Sequence, residues 1–412
     1  MAEVVRTDVC IVGAGPGGCC AALQLGKHGV KAVLVDKATF PRDKVCGDAL
    51  SGKVLRILDR LDPDLGRSIR AERGARPSWG VTFVAPNGKA LRVPFTRKAG
   101  TGAAPGFVWP RLELDHMLLS AVKSAGRVSL REGSSASHFQ RDAHGWVIGF
   151  ANSEDQVHAR LIMDASGANS AFARHHAGIP LDLRHHCAGV RAYFSGVEGL
   201  DREGFIELHF LRDLLPGYLW VFPLENGRAN VGLGLRSDIV RKRKVDLKEL
   251  LSRTLATHPL LRERFAGAQM SGAIQGMGLP LGSKRHAISG PGYLLLGDAA
   301  HLIDPFTGEG ISHAMISGVH AADVAAESLS RDRLGAHALA EYDRRVWNRL
   351  GRELSISTRL QQLVGQPWLF NFVVGRALKN PALADTIGSM FTDLDMRERL
   401  RRPGYYIRLL LG

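Results

Sequence analysis

The sequence predicts an α/β fold: a Rossmann-like dinucleotide-binding domain, an inserted antiparallel-sheet domain, and a C-terminal helical region. Three observations predict it. Near the N-terminus, a short apolar run meets a glycine-rich turn and then a helix-forming segment. Between residues 187 and 235 the chain reads as a series of strands. From Leu339 to Leu411 it is rich in arginine and bulky apolar residues and reads as helical, with Pro367, Pro381 and Pro403 as breaks. A length of 412 residues allows about two to three domains.

The stretch Asp8–Asp36 carries the first element. Val9, Ile11 and Val12 suit a buried parallel strand. Gly13-x-Gly15-x-x-Gly18 follows at once, and Pro16 lies inside it. A helix is expected from about Gly15 to His28, stopping at Gly29. Ala32–Val35 is a second apolar strand that ends on Asp36. This strand–turn–helix–strand–acid order is that of a dinucleotide fold. Gly13 makes the tight turn, Gly15 lets backbone approach a pyrophosphate, and Gly18 lets the helix pack on the sheet. The helix N-terminus offers free N–H groups to phosphates, and Asp36 can accept from a ribose hydroxyl.

Phe40-Pro-Arg-Asp-Lys-Val-Cys-Gly-Asp48 reads as a loop. A lone cysteine is usually an inert core residue, but Cys46 sits in a polar, glycine-flanked loop directly after the strand–acid unit. That position makes it a catalytic candidate. Val54–Leu61 looks helical. Gly80–Val84 and Leu91–Phe95 form a hairpin by pattern, turning at Pro86-Asn-Gly88. Arg111 opens a helix with Leu114, Leu118 and Val122 on one face. Further strands are expected near 128–130, 146–150 and 157–162, the last running into Asp164-Ala-Ser-Gly167-Ala-Asn-Ser170. The runs 190–194, 205–210, 218–223 and 229–235 fit an antiparallel sheet. Arg241-Lys-Arg-Lys244 is a basic run, read first as a solvated face. A helix follows from Leu247 to about Ala256. Tyr293–Asp298 is a strand ending in Gly297-Asp298. The loop Asp304-Pro305-Phe-Thr-Gly308-Glu-Gly310 leads to a long helix from Ile311 to Leu329, whose small residues let it lie close to a neighbour or ligand.

Composition narrows the class. Hydrophobic residues make up 45% of the chain, so a large core is possible and global disorder is excluded. The formal net charge is +14, which suits an anionic partner such as a membrane surface or a diphosphate. No nucleic-acid motif stands out, and no nucleic-acid partner is expected. The N-terminus does not read as a signal peptide, and no run is apolar enough to span a bilayer. The five cysteines (Cys10, Cys19, Cys20, Cys46, Cys187) contain no C-x-x-C pair, as expected for reduced thiols in the cytoplasm. No residue cluster suggests a metal site. The mixture of Arg397, Arg399, Arg401, Arg402 and Arg408 with Tyr405, Tyr406, Leu409 and Leu410 predicts peripheral attachment to the inner face of the membrane.

Three separated motifs resemble those of flavoproteins with a p-hydroxybenzoate-hydroxylase-like fold: Gly13-x-Gly15-x-x-Gly18, Asp164-Ala-Ser-Gly167, and Gly297-Asp298 with Pro305-Phe-Thr-Gly308-Glu-Gly310. A narrower resemblance is to the geranylgeranyl reductase family. It rests on the Phe40–Asp48 loop, on Tyr218-x-Trp220-x-Phe222-Pro223 with the run Gly227–Gly234, and on Pro305–Ile311. It covers most of residues 5–330. His301, where many of these reductases have a small residue, and the Asp164-Ala-Ser-Gly wording depart from the family pattern.

The resemblance implies a Rossmann-like FAD-binding domain with non-covalent FAD. It implies FAD contacts for Gly13, Gly15, Pro16, Gly18, Asp36, Lys37, Arg42, Cys46, Gly47, Arg111, Asp164, Gly167, Gly297, Asp298, Pro305, Gly308, Gly310 and Ile311. The helix after Gly310 would aim its N-terminus at the flavin pyrimidine edge, where reduced flavin is anionic. The implied reaction is C=C reduction in a prenyl lipid. The electron donor stays open between NADPH, NADH and ferredoxin, because no second GxGxxG follows a strand. Cys46 either donates a proton, positions a water or tunes the flavin. Tyr218, Trp220 and Phe222 alternate, so they share one face; that face is expected to line an apolar, substrate-binding tunnel, an ordinary aromatic core being the alternative.

The domain division expected is 1–74, 108–186 and 281–330 for FAD binding, a substrate-domain hairpin at 75–107, the antiparallel sheet at 187–280, and the helical region at 331–412. A flavin monooxygenase or halogenase acting on an apolar or aromatic substrate is the alternative enzyme, although halogenases carry W-x-W-x-I-P where this chain has Tyr218 and Phe222. A non-enzymatic lipid-binding protein on the same fold is the third reading.

Overall fold

The computed structural model describes residues 2–95 and 104–384. It has the expected α/β class. The first sheet is parallel at its centre. Strand Val4–Val12 lies between Ser153–Asp164 and Ala32–Val35, and Ser129–Arg131 and Tyr293–Leu295 extend the parallel set on either side. The register matters for function. Val12 pairs with both Val35 and Asp164, and Asp164 pairs with Leu295. The carboxyl ends of these strands are therefore level, where ligands bind in open α/β sheets. They deliver Gly13, Asp36, Ala165 and Gly297 to one rim.

The helices that cover this sheet follow from their small residues. The first helix, Pro16–Lys27, starts with Pro at its first position, where the missing N–H costs nothing. It packs against the long helix Ile311–Ser330 at very close range: a Cβ on Gly318 would lie 2.2 Å from the Gly17 carbonyl oxygen. The expected role for the small residues of that helix is thus met by direct backbone approach.

The second sheet has seven strands, ordered Gln269–Pro280, His186–Ser195, Arg228–Arg236, Tyr218–Pro223, Ile206–His209, Gly80–Val84 and Ala90–Pro94. The predicted hairpin of residues 80–94 thereby joins the strands of residues 186–280 in one sheet. One pairing differs from the antiparallel expectation: Ile206–His209 runs parallel to Gly80–Val84. The two segments are far apart in sequence, and only a distant connection can bring strands together in parallel.

Some elements had no clear sequence signal. Gln269–Pro280 is an edge strand, mostly exposed and interrupted by Gly272, Gly276 and Gly278. Ala136–Arg141 is a polar edge strand. The basic run Arg241–Lys244 ends a short helix, Ser237–Arg243, and its four side chains are exposed. The C-terminal region is helical as far as it is described, as Ala336–Val364 and Pro367–Ala377. The residues on which membrane attachment was expected, 397–410, lie outside the described residues. Among the described residues, no helix is long and apolar enough to cross a membrane.

Candidate flavin and substrate site

One cavity, enclosing about 1530 Å³ of non-protein space partly open to solvent, joins the two sheets. Its first wall is the rim of the parallel sheet: Gly15, Pro16, Gly167, Gly297 and Asp298, with Gly308, Gly310 and Ile311 from the late loop and helix. Two helices begin on this wall, at Pro16 and Ile311, with no acidic residue in the first turn; the Pro16 helix has no side-chain cap, while Glu309 Oε1 accepts from the Ser312 N–H of the second at 3.1 Å. Unused N–H groups and positive dipole ends face the same space. A Cβ at Gly15 would meet nothing closer than an Arg42 nitrogen at 3.9 Å, which leaves the backbone open to a phosphate. This donor set fits the diphosphate and the flavin edge of FAD.

Glycines off the wall shape it. Gly13 has φ +105°, and a Cβ there would sit 2.4 Å from the Ala165 carbonyl oxygen. A Cβ at Gly18 would be 1.9 Å from the Gly13 oxygen. Asp36 accepts from the backbone N–H of Ala14 at 2.7 Å and of Ala38 at 2.8 Å, so it ties the turn together with two of its acceptor sites. Asp164 is buried and accepts from Ser166 and Ser170, closing its own turn below the wall. The structure does not bring Lys37 to the cavity, because it is exposed just past the strand end. Nor does it bring Pro305 there, whose carbonyl accepts from Gln361 Nε2 at 2.7 Å. Arg42 is held by Asp115 through Nη1 at 2.6 Å, with Nη2 on the open side of Gly15.

The second wall belongs to the seven-stranded sheet. Tyr218, Trp220 and Phe222 share one face as their alternation requires, and all three line the cavity with Ile206, Leu208 and Met277. Their rings run in a row, 6.4 Å and then 6.2 Å apart. Tyr218 donates to the Thr307 carbonyl at 2.7 Å, linking the aromatic strand to the late loop.

Cys46 and Gly47 lie where the two walls meet. A Cβ on Gly47 would be 2.9 Å from the Phe222 ring and 3.7 Å from Trp220 Nε1. Burial pushes the Cys46 thiol up, while the Arg111 guanidinium pulls it down and Asp48 adds to the rise; the net direction is up. Arg111 is itself nearly buried and forms a two-pronged pair with Asp115, at 2.7 Å on each side. Burial works against the charge of Asp115, but Arg111 outweighs it and holds the carboxyl below its usual range. Lys44 pairs with Asp298 at 3.3 Å, and both line the cavity. Nearby, burial and then His286 and His186 push His301 down to about 4, so it is neutral at physiological pH.

Sequence reasoning missed Asp48, Tyr193 and Asn230. Asp48 is fully buried on the cavity wall and has φ 65°, a left-handed conformation uncommon outside glycine. The quoted Phe40–Asp48 loop contained it, but a carboxylate at a loop end usually faces water. Its burial depends on partners more than 140 residues away.

A family profile describing an FAD binding domain matches residues 6–203. The chain is 30% identical over 350 residues to a digeranylgeranylglycerophospholipid reductase of Thermoplasma volcanium, covering 84% of each. It is 30% identical over 383 residues to a menaquinone reductase of Mycobacterium tuberculosis, covering 87% of this chain and 84% of that one. Among solved structures, a geranylgeranyl bacteriochlorophyll reductase-like protein of Thermoplasma acidophilum superimposes with a TM-score of 0.79 at 24% identity, covering 100% of this chain and 97% of that one. The flavin-dependent brominase Bmp2 superimposes with a TM-score of 0.76 at 20% identity, covering 98% and 97%. At such identities the structural likeness speaks for the fold alone, whereas the sequence relationship over most of both chains is decisive. The chain belongs to the geranylgeranyl reductase family of FAD-dependent oxidoreductases.

Proposed function

We propose that this protein reduces isolated C=C bonds in the prenyl chain of a lipid. The observation that carries the reading is the junction at Cys46. There an apolar wall of Tyr218, Trp220 and Phe222 meets the glycine-rich rim that would hold FAD. Gly15, Pro16, Gly310 and Ile311 would hold the diphosphate and flavin edge, with Asp298 on the ribityl or pyrophosphate side. Bound FAD, once reduced, supplies hydride. An isolated alkene has no carbonyl to take up charge, so the chain must supply a proton to the other carbon and keep water away. The Cys46 thiol is protonated at neutral pH, because burial outweighs the Arg111 charge. Arg111 is placed to steady the thiolate left after transfer. The relatives named for reduction of digeranylgeranylglycerophospholipid and of menaquinone support a substrate with a prenyl chain.

Cys46→Ser tests the proton. Serine keeps the shape but is a much weaker acid. The variant should retain FAD and still be reduced by dithionite. Its turnover of digeranylgeranylglyceryl phosphate, presented in anionic vesicles and read as mass gains of two hydrogens, should fall about 10²-fold. Turnover at the wild-type level would remove the thiol from the reaction. Turnover in neutral vesicles should be lower than in anionic ones, and added salt should erase the difference.

Trp220→Ala tests the wall. Trp220 borders the cavity, so truncation widens it and lets water replace the bond that Trp220 Nε1 gives Asn230 Oδ1. Its turnover should fall at least about tenfold while the melting temperature moves by less than about 4 °C. Parallel loss of both would assign the row to sheet packing.

A further inference from the structure

The Cys46 turn is tied down at several points, and the ties converge on Asp48. Asn230 Nδ2 donates both to the Cys46 carbonyl, at 2.8 Å, and to Asp48 Oδ2, at 2.7 Å. The same Asn230 accepts from Trp220 Nε1 at 2.9 Å through Oδ1. Tyr193 donates its O–H to Asp48 Oδ2 at 2.7 Å, and the Arg111 backbone N–H reaches Asp48 Oδ1 at 3.3 Å. The Asp48 backbone N–H points back to Cys46 Sγ at 3.4 Å. A full set of donors around one fully buried carboxyl, on a left-handed backbone, is expensive to assemble.

We propose that Asp48 is the positioning residue of the Cys46 turn, fixing it to the aromatic wall through Asn230 and to the sheet through Tyr193, and that its protonation state sets how tightly the turn is held. The inference deepens the reading that Cys46 acts at this junction and rests on it for its link to turnover.

The sign follows from burial. Burial pushes the Asp48 carboxyl from its ordinary 3.8 up to about 6, while hydrogen bonds from Tyr193 and Asn230 and the charges of Arg191 and Arg111 restrain the rise. The other titratable group in contact with it is the Cys46 thiol, and Arg191 is shared with Asp43, which it pairs at 2.7 Å. An acid whose pKa is higher in the closed arrangement than in an opened, solvated one favours closure when protonated. That contribution is complete below about pH 4 and is lost as pH rises through about 6. The turn is tightest with Asp48 neutral.

Hydrogen exchange of residues 42–50 in the FAD-loaded protein, corrected for intrinsic rates, tests this without any substrate. In the wild type, protection should fall as pH rises from 5 to 7. Asp48→Asn, neutral at every pH, should show high protection with no inflection. Tyr193→Phe removes a bond that favours the charged form and should move the midpoint up by about one pH unit. In parallel, turnover of digeranylgeranylglyceryl phosphate should lose its inflection near pH 6 in Asp48→Asn at full flavin occupancy. Flat wild-type protection, or a wild-type inflection surviving in Asp48→Asn, overturns the proposal. If the exchange pattern holds but the lipid is not reduced by wild type, the positioning role stands and the substrate reading falls.

Discussion

Gly18→Ala is expected to purify without flavin. The added Cβ would lie 1.9 Å from the Gly13 carbonyl oxygen and 3.4 Å from the Ala165 Cβ. The near atom is backbone, so no rotamer change relieves the clash. Gly13 already holds φ +105°, with the Ala165 carbonyl against its own open face. The turn must therefore move as a unit, and Gly15 and Pro16 move with it off the cavity wall. Overpacking of this kind costs about 1–3 kcal/mol, with larger values where backbone blocks relief. The visible flavin absorbance of the purified variant and its urea midpoint report the two effects. Gly335→Ala is the control: it has no heavy atom within 4 Å of the new Cβ and ordinary φ −73°, so it should keep full flavin. A yellow, wild-type-stable Gly18→Ala protein would refute the role given to this glycine.

The second large effect is expected at Glu353, in the long helix Ala336–Val364. Its carboxylate pairs with Lys53, whose side chain is 2% exposed, and lies 3.6 Å from Nε2 of the fully buried His313. Burial alone would raise the Glu353 pKa, but His313 and Lys53 outweigh it and bring it down to about 2. For His313, burial lowers the pKa and Glu353 more than restores it. Glu353→Gln leaves a buried ammonium without its counter-ion, which costs about 3–5 kcal/mol. Urea unfolding at pH 7 measures it. Lys53→Met combined with Glu353→Leu should recover most of the loss, since an apolar pair needs no compensation. The depressed pKa also fixes a pH dependence. The stability that Glu353 contributes is present above its ordinary 4.5 and is lost as pH falls through about 2. Glu353→Gln should show a smaller acid-induced drop over that window. Equal acid slopes in variant and wild type would argue against this pairing.

Legibility in the sequence tracked the range of the forces involved. The strand–turn–helix of residues 4–27 was readable because its glycines fall at fixed spacing in one short segment, although Gly13 answers to Ala165 and Gly17 to the Ile311–Ser330 helix as well as Gly18 to Gly13. The aromatic row at Tyr218, Trp220 and Phe222 was readable because a strand alternates whatever it packs on. Two exposed edge strands, Gln269–Pro280 and Ala136–Arg141, were not. Gln269–Pro280 pairs through backbone groups with His186–Ser195 while most of its side chains face water, so no apolar pattern is imposed. The buried polar cluster at Asp48 was invisible for a different reason. Each member is ordinary in its own segment, and only folding brings Tyr193 and Asn230 to the carboxyl. Lys37 and Pro305 sit within motifs that do reach the cavity, yet the local chain direction turns them away.

The parallel pairing of Ile206–His209 with Gly80–Val84 has a consequence for biosynthesis. Ile206 lies opposite Val81, 125 residues earlier in the chain. A nascent polypeptide that has emerged only to residue 205 holds the 80–94 hairpin with one edge unmated, beside apolar Val81 and Phe83 that are buried in the finished protein. Unpaired edges of this kind are templates for association between chains. The intervening segment belongs largely to the parallel sheet, which can close first through Ser153–Asp164 and leave the hairpin waiting. The vulnerable interval is therefore set by translation of residues 95 to 209, and slow decoding there would prolong exposure of a sticky edge on an otherwise partly folded chain.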